Sequence, residues 1–214
     1  MIWIPWHDGL GDLWASTSYL LGLSAREGGP VWVQRVKGDL CKQIAGELDS
    51  PGRLLFTDEP GVELEGGYIW HAPYAPTYAR WHPHHPHQHY CYQFDGQSIP
   101  EQKNPPPADA ECILQRAEVT SGLPGIRLGK HLGLSRCVDL LAGAAFFVGC
   151  DSGISHIAHS VGVPTFLMRY QLDLHTCHHG KQYIECKGVH GFNDEIRNFY
   201  RCVGETDPRR HKSH

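Results

Sequence analysis

Short apolar runs, set off by glycine, proline and small polar residues, alternate along this chain with stretches whose apolar residues recur at helical spacing. Residues 1–6 read as a short strand, 13–23 as a largely apolar helix, 31–34 as a second strand, 39–48 as a helix and 53–57 as a third strand. A second series opens at residues 90–94, another strand. Residues 135–145 have helical spacing, with Ser135 placed to cap the first turn and Asp139 near it. Phe146-Phe147-Val148-Gly149 is a buried strand that stops at a polar turn, Cys150-Asp151-Ser152-Gly153, which opens a helix. Gly162-Val163-Pro164 ends that helix, and Thr165-Phe166-Leu167-Met168 is the next strand. From Lys187 onward Phe192, Ile196, Phe199 and Tyr200 fall on one helical face, expected to pack across lobes. Strands alternating with helices predict an α/β protein with parallel sheets, of the kind that binds nucleotides.

The turn at 150–153 is the most informative point in the chain. A helix N-terminus offers unpaired N–H groups and the positive end of a dipole, which together hold an anion without any basic side chain. Gly153 permits a tight turn and a close approach to the backbone. The block LSRCVDLLAGAAFFVGCDSGISHIAHSVGVPTF around it resembles the donor-binding lobe of the heptosyltransferase-like (family 9) glycosyltransferases, which have the two-lobed GT-B fold. The resemblance implies that Asp151, Ser152, Gly153 and His156 face the diphosphate of a nucleotide sugar, with Ile154 standing where the family usually has proline.

Two further fragments carry the same resemblance. His7-Asp8-Gly9-Leu10-Gly11-Asp12 is similar to the family's Gly-Leu-Gly-Asp signature, which places Gly9 and Gly11 beside the donor and implies Asp12 as general base. A carboxylate there has a clear task, because an acceptor hydroxyl attacks a sugar carbon only as its proton leaves. Read from the residues alone, Asp12 could equally cap the helix that follows, and Ser18 stands where the family usually has proline. After the strand at 90–94, a loop with Gly96, Ser98 and Lys103 matches the family's phosphate-contacting loop, although the spacing to Lys103 is one residue long and Asp95 adds a negative charge. A hydroxyl and an ammonium suit a diphosphate; a solvated surface loop is the competing reading.

The resemblance therefore implies a compact, shortened GT-B-like protein of two small Rossmann-like lobes. Residues 1–89 would form the acceptor side, with a His/Pro-rich linker at its end, and 90–214 the nucleotide-sugar side. The implied activity is transfer of a sugar from a nucleoside-diphosphate sugar to an acceptor hydroxyl, with no cofactor required. At 214 residues the chain leaves room for only about three βα units before Tyr90, so a second copy or a partner subunit could complete the first lobe. Competing functions are a non-catalytic nucleotide-sugar-binding subunit and a His-rich metal-binding protein. A trypsin-like reading of Gly149-Cys150-Asp151-Ser152-Gly153 fails on the extra Cys150, on Ile154 and on the βαβ surroundings; a hydrolase elbow fails because Asp151 occupies the nucleophile position.

Composition narrows this further. A hydrophobic share of 41% supports a buried core, and a net charge of −4 argues against broad attachment to nucleic acid or anionic membranes. No apolar run approaches the roughly 20 residues needed to span a bilayer. The start lacks the pattern of a secretion signal, and a cytoplasmic protein is expected. Eight scattered cysteines read as reduced thiols, Cys150 among them as a small buried filler. Histidine is the outlier at 16 residues, peaking in His82-Pro83-His84-His85-Pro86-His87-Gln88-His89. That segment reads as a linker, as a metal chelator, or, with Tyr74, Tyr78 and Trp81, as part of an acceptor wall. Tyr170, Gln171 and Asp173, after the strand at 165–168, could approach the donor's base and sugar, while His175, His178 and His179 read as loop residues.

Overall fold

A computed structural model of the chain describes residues 2–4, 10–11, 14, 20, 24–25, 28–34, 54–60, 62–63, 87–96, 100–170 and 183–206. Its strands form two sheets, both parallel throughout. The first contains β1 (Ile2–Ile4), β2 (Val31–Gln34), β3 (Leu54–Thr57) and β4 (Val62–Glu63), in the order β3-β2-β1-β4. The second contains β5 (Tyr90–Gln93), β6 (Gly125–Arg127), β7 (Phe147–Gly149), β8 (Thr165–Arg169) and β9 (Tyr183–Lys187), in the order β6-β5-β7-β8-β9. Both orders change direction once. In the first sheet the chain moves outward from β1 and then returns to place β4 on its other side; in the second it leaves β5 for β6 and returns to place β7 on the other side. Ligands of open α/β sheets bind beyond the carboxyl ends of the strands at such reversals. The glycine motif that follows β1 in the sequence and the polar turn after β7 both come after strands that flank one.

Helices α1 (Pro100–Lys103), α2 (Pro107–Ser121), α3 (Leu134–Ala142), α4 (Gly153–Val161) and α5 (Gly188–Thr206) accompany the second sheet. In the first half Trp14 and Leu20 are helical, as the apolar spacing over 13–23 predicts; Ser24 and Ala25 are helical beyond it, and Leu10 and Gly11, expected in a glycine loop, are helical as well. The strands expected at 1–6, 31–34, 53–57, 90–94, 146–149 and 165–168 are all present within a residue or two. The helix expected over 39–48 lies outside the described residues. The N-cap of helix α3 is Gly133, two residues before the expected Ser135, and the helix ends at Ala142 rather than at 145.

Two apolar clusters hold the molecule. One joins Trp14, Leu20, Val33 and Leu54 of the first half to Val138, Leu141, Phe147, Ile157, Ala158 and Val161 of the second, so a single core runs between the sheets. At its centre the Trp14 indole N–H donates to Ser160 Oγ at 2.7 Å, which satisfies a polar group on a ring that is only 1% exposed. The other cluster is confined to the second half. Phe146 stacks on Tyr90 at 4.9 Å and meets Phe166 edge-on at 5.5 Å, while Phe166 meets Phe192 and Phe199 of α5 edge-on at 5.5 and 5.6 Å. Each fully buried Phe contributes about 1.5–3 kcal/mol. The Phe192, Ile196, Phe199 and Tyr200 face, expected to bridge the lobes, therefore packs on its own sheet. The reason is connectivity: α5 follows β9 without a linker and lies back over β8 and β9.

His87 and His89, the end of the His-rich segment, serve the C-terminus of α3. A ring N–H of His89 donates to Leu140 O at 3.0 Å and one of His87 to Gly143 O at 3.2 Å. Carbonyls at a helix end lack partners within the helix, and these imidazoles supply them.

Candidate functional site

The polar turn after β7 is built by reciprocal capping. Ser152 is the N-cap of α4, with extended backbone, and forms a capping box with Ser155. The Ser152 N–H donates to Ser155 Oγ at 3.0 Å, and that hydroxyl donates onward to Ser152 O at 2.7 Å. The Ser152 hydroxyl donates across the turn to Oε1 of Gln93, at the carboxyl end of β5. Cys150, wholly buried, donates its N–H to Gln93 O at 3.1 Å. Burial pushes the Cys150 thiol from 9.0 to about 11, partly offset by a hydrogen bond with the Gly96 backbone. It is a neutral filler beneath the turn, as its apolar neighbours predict.

Three of the side chains singled out in the sequence converge here. Lys103 Nζ lies 3.4 Å from Asp151 Oδ2, and His156 Nε2 lies 3.8 Å from Asp151 Oδ1. All are mostly shielded from solvent, Lys103 and His156 at 13% and Asp151 at 18% side-chain exposure, which leaves each an edge that a ligand can reach. Lys103 arrives on the last turn of the short helix α1, where the sequence reading has a loop. Asn104 follows it and holds the loop down on both sides of Gly96: the Gly96 N–H donates to Asn104 Oδ1 at 2.9 Å and Asn104 Nδ2 donates to Gly96 O at 3.2 Å. At the rim, Arg127 and Asp95 form an exposed ion pair at 3.2 Å, so the negative charge of Asp95 is partnered away from the turn.

Leu10 and Gly11 of the first half close against the same turn. A Cβ on Gly153 would lie 2.7 Å from Leu10 Cβ and 2.9 Å from Gly11 N, and a Cβ on Gly11 would lie 2.6 Å from His156 Cδ2. Two motifs more than a hundred residues apart thus touch through two glycines, and at Gly153 any Cβ would run into backbone. Gly9, Asp12 and Ser98 lie outside the described residues, as do Tyr74, Tyr78, Trp81, His82, His84, His85, Gln171, Asp173, His175, His178 and His179. Tyr170 packs among the apolar side chains of the second core, where burial and the neighbouring Asp109 raise its hydroxyl's pKa. Gln93, Asn104 and Ser155 were not read as site residues. Of these only Asn104, beside Lys103, carried a sequence signal.

Two parallel sheets, joined where Gly11 meets the turn at Gly153, define an α/β protein of the GT-B type. Residues 105–167 match the model of glycosyltransferase family 9 (heptosyltransferase), which upholds the resemblance read from the block at 134–166 and covers less than half of the chain. Among solved structures the chain is similar to the bacterial iron-containing dodecameric glycosyltransferase TibC from enterotoxigenic E. coli H10407, at 16% identity and a TM-score of 0.53 over 78% of this chain. It is similar also to TibC in complex with ADP-D-β-D-heptose, at 15% identity and a TM-score of 0.56 over 78% of this chain. In both cases it spans 57% of the length of TibC. No curated protein matches the chain. Among the described residues no group of three His, Cys, Asp or Glu side chains comes together as a metal site, and no helix is long and apolar enough to cross a membrane.

Proposed function

We propose that this chain transfers a sugar from a nucleoside-diphosphate sugar to an acceptor hydroxyl. The observation that carries the reading is the contact of Gly11 with Gly153 and His156, which brings the glycine loop to the Lys103–Asp151–His156 group. The donor's diphosphate would lie on the N-terminus of α4, against the N–H groups of Gly153 and Ile154, since the Ser152 N–H is already taken by Ser155. Lys103 and His156 would supply charge and hydrogen bonds as the diphosphate departs, and Asp151 holds both in place. Asp12, next in the chain to Gly11, would take the acceptor's proton as its oxygen attacks the anomeric carbon and the bond to the diphosphate breaks. TibC binds ADP-heptose, and we extend that donor class, with ADP as first probe, to this chain. We extend the dodecameric assembly of TibC only as far as self-association that completes the shorter first half.

The test is a thermal-shift screen of the protein against ADP, GDP, UDP and their sugars, followed by turnover of the best donor in the wild type and Asp12→Asn. A tight ligand raises apparent stability by mass action. The expected result is a nucleotide-dependent shift in both proteins and loss of turnover in the variant alone. A chain that binds no nucleotide overturns the reading; one that binds a donor and turns over none is a binding subunit.

A further inference from the structure

We infer that Gln93 is a positioning residue for the diphosphate-holding turn and acts through Ser152; the inference rests on the function proposed above. Its sequence context, Tyr90-Cys91-Tyr92-Gln93-Phe94, gives no hint of this, because a glutamine ending an apolar strand ordinarily turns to solvent. Here the residue is 8% exposed. A carboxamide taken from water to that degree is costly unless bonded, and its Oε1 accepts the Ser152 hydroxyl proton. The backbone makes the same connection, since Gln93 pairs with Gly149 and its carbonyl accepts the Cys150 N–H at 3.1 Å. One residue therefore fixes both sides of the reversal between β5 and β7.

The direction of that side-chain bond has a consequence for the anion site. With its proton committed to Gln93, the Ser152 oxygen presents lone pairs to the helix, which suits the Ser155 N–H of the capping box. Ser155 in turn occupies the Ser152 N–H at 3.0 Å. The first-turn amides assigned to a ligand are then those of Gly153 and Ile154, aimed by a cap that cannot rotate. Without the Gln93 acceptor the hydroxyl is free to turn, and Asp151, one residue before it, loses its fixed bearing on Lys103 and His156. The loss should fall on phosphate recognition and spare recognition of the base.

The experiment measures, by calorimetry, the affinities of whichever of ADP, GDP or UDP binds the wild type and of the matching nucleoside monophosphate. Four proteins are compared: wild type, Gln93→Met, Ser152→Ala and the double variant. Methionine keeps the volume and removes the acceptor. The expected result is a diphosphate affinity lowered about 5–10-fold in Gln93→Met, the span of one lost hydrogen bond. The monophosphate affinity should change less than about twofold, and the double variant should be no weaker than Ser152→Ala, because residues acting through one bond are not additive. Equal losses for both ligands, no loss at all, or losses that multiply in the double variant would overturn the inference. If Gln93→Met fails to fold, Gln93→Asn withdraws the acceptor by one methylene and is read in the same way. A wild type that binds no diphosphate, or binds it no better than the monophosphate, removes both this inference and the function beneath it; a wild type that does, beside a Gln93→Met protein that is unchanged, removes this inference alone.

Discussion

Gly11 and Gly153 approach each other so closely that a Cβ on Gly153 would stand 2.9 Å from the Gly11 nitrogen. Helix propensity alone favours Gly153→Ala, by up to about 1 kcal/mol at a position inside a helix. Overpacking against backbone costs about 1–3 kcal/mol and should win. Gly153→Ala is therefore expected to lower the melting temperature. Gly11→Ala meets chiefly the His156 ring, which can swing aside, and the Gly153 Cα only at 3.3 Å, so it should cost less stability than Gly153→Ala and weaken diphosphate binding. Thermal unfolding and calorimetry on the two variants separate these outcomes.

Lys103 stands 3.4 Å from Asp151 with most of its side chain shielded. Lys103→Met keeps the packing stem and removes the ammonium. Contacts to a charged group are worth about 1.5–3 kcal/mol, so diphosphate affinity should fall roughly tenfold or more. The dependence of that affinity on salt should flatten as well, which titrations at two ionic strengths would read.

The strands and the α4 turn were legible because buried parallel strands are short continuous apolar runs and the turn that joins strand to helix has few workable compositions. Helix α2 was not, because PADAECILQRAEVTS buries only Ile113 and Ala117 and shows no clear apolar stripe. Strand β6 is short and partly exposed, and Gly125-Ile126-Arg127 has nothing in its sequence to mark it as a strand; β9, Tyr183-Ile184-Glu185-Cys186-Lys187, alternates charged with apolar residues instead of forming an apolar run. Lys103 and Asp151 could be named singly, but their pairing depends on β5 and β7 lying side by side, a fact of sheet order. Gln93 was invisible for the same reason. The His-rich segment reads from sequence as a linker, a metal chelator or an acceptor wall, while the use of His87 and His89 on the carbonyls of α3 depends on a helix some fifty residues away.

The Trp14–Ser160 bond, 2.7 Å long and buried, ties the first half to α4. Trp14→Phe removes the donor and is expected to cost about 1 kcal/mol, the usual worth of one hydrogen bond, plus the smaller ring's lost packing. Because the surrounding core spans both sheets, wild type and variant should each unfold in one calorimetric transition. Two separated transitions would contradict a shared core.

Among the described cysteines, Cys112 and Cys202 are exposed while Cys91, Cys137, Cys150 and Cys186 are buried. Iodoacetamide on the native protein at pH 8 should modify the first pair and leave the four buried thiols intact, as peptide mass spectrometry would show. Burial raises the Cys150 pKa from 9.0 to about 11, so the folded state favours the neutral thiol. Its contribution to stability is complete below about pH 9 and is lost as pH climbs towards 11, so denaturant midpoints should fall across that interval.

The apolar cluster that Trp14, Leu20, Val33 and Leu54 share with Val138, Leu141 and Ile157 bears on how the gene can be cut. Severing the chain between β4 and β5 would bare oily surface on both fragments at once. The second half keeps its own aromatic core, yet loses the cover over Val138, Leu141 and Ile157, so expression of an isolated half should yield poorly soluble material, and co-expression of the two should restore it.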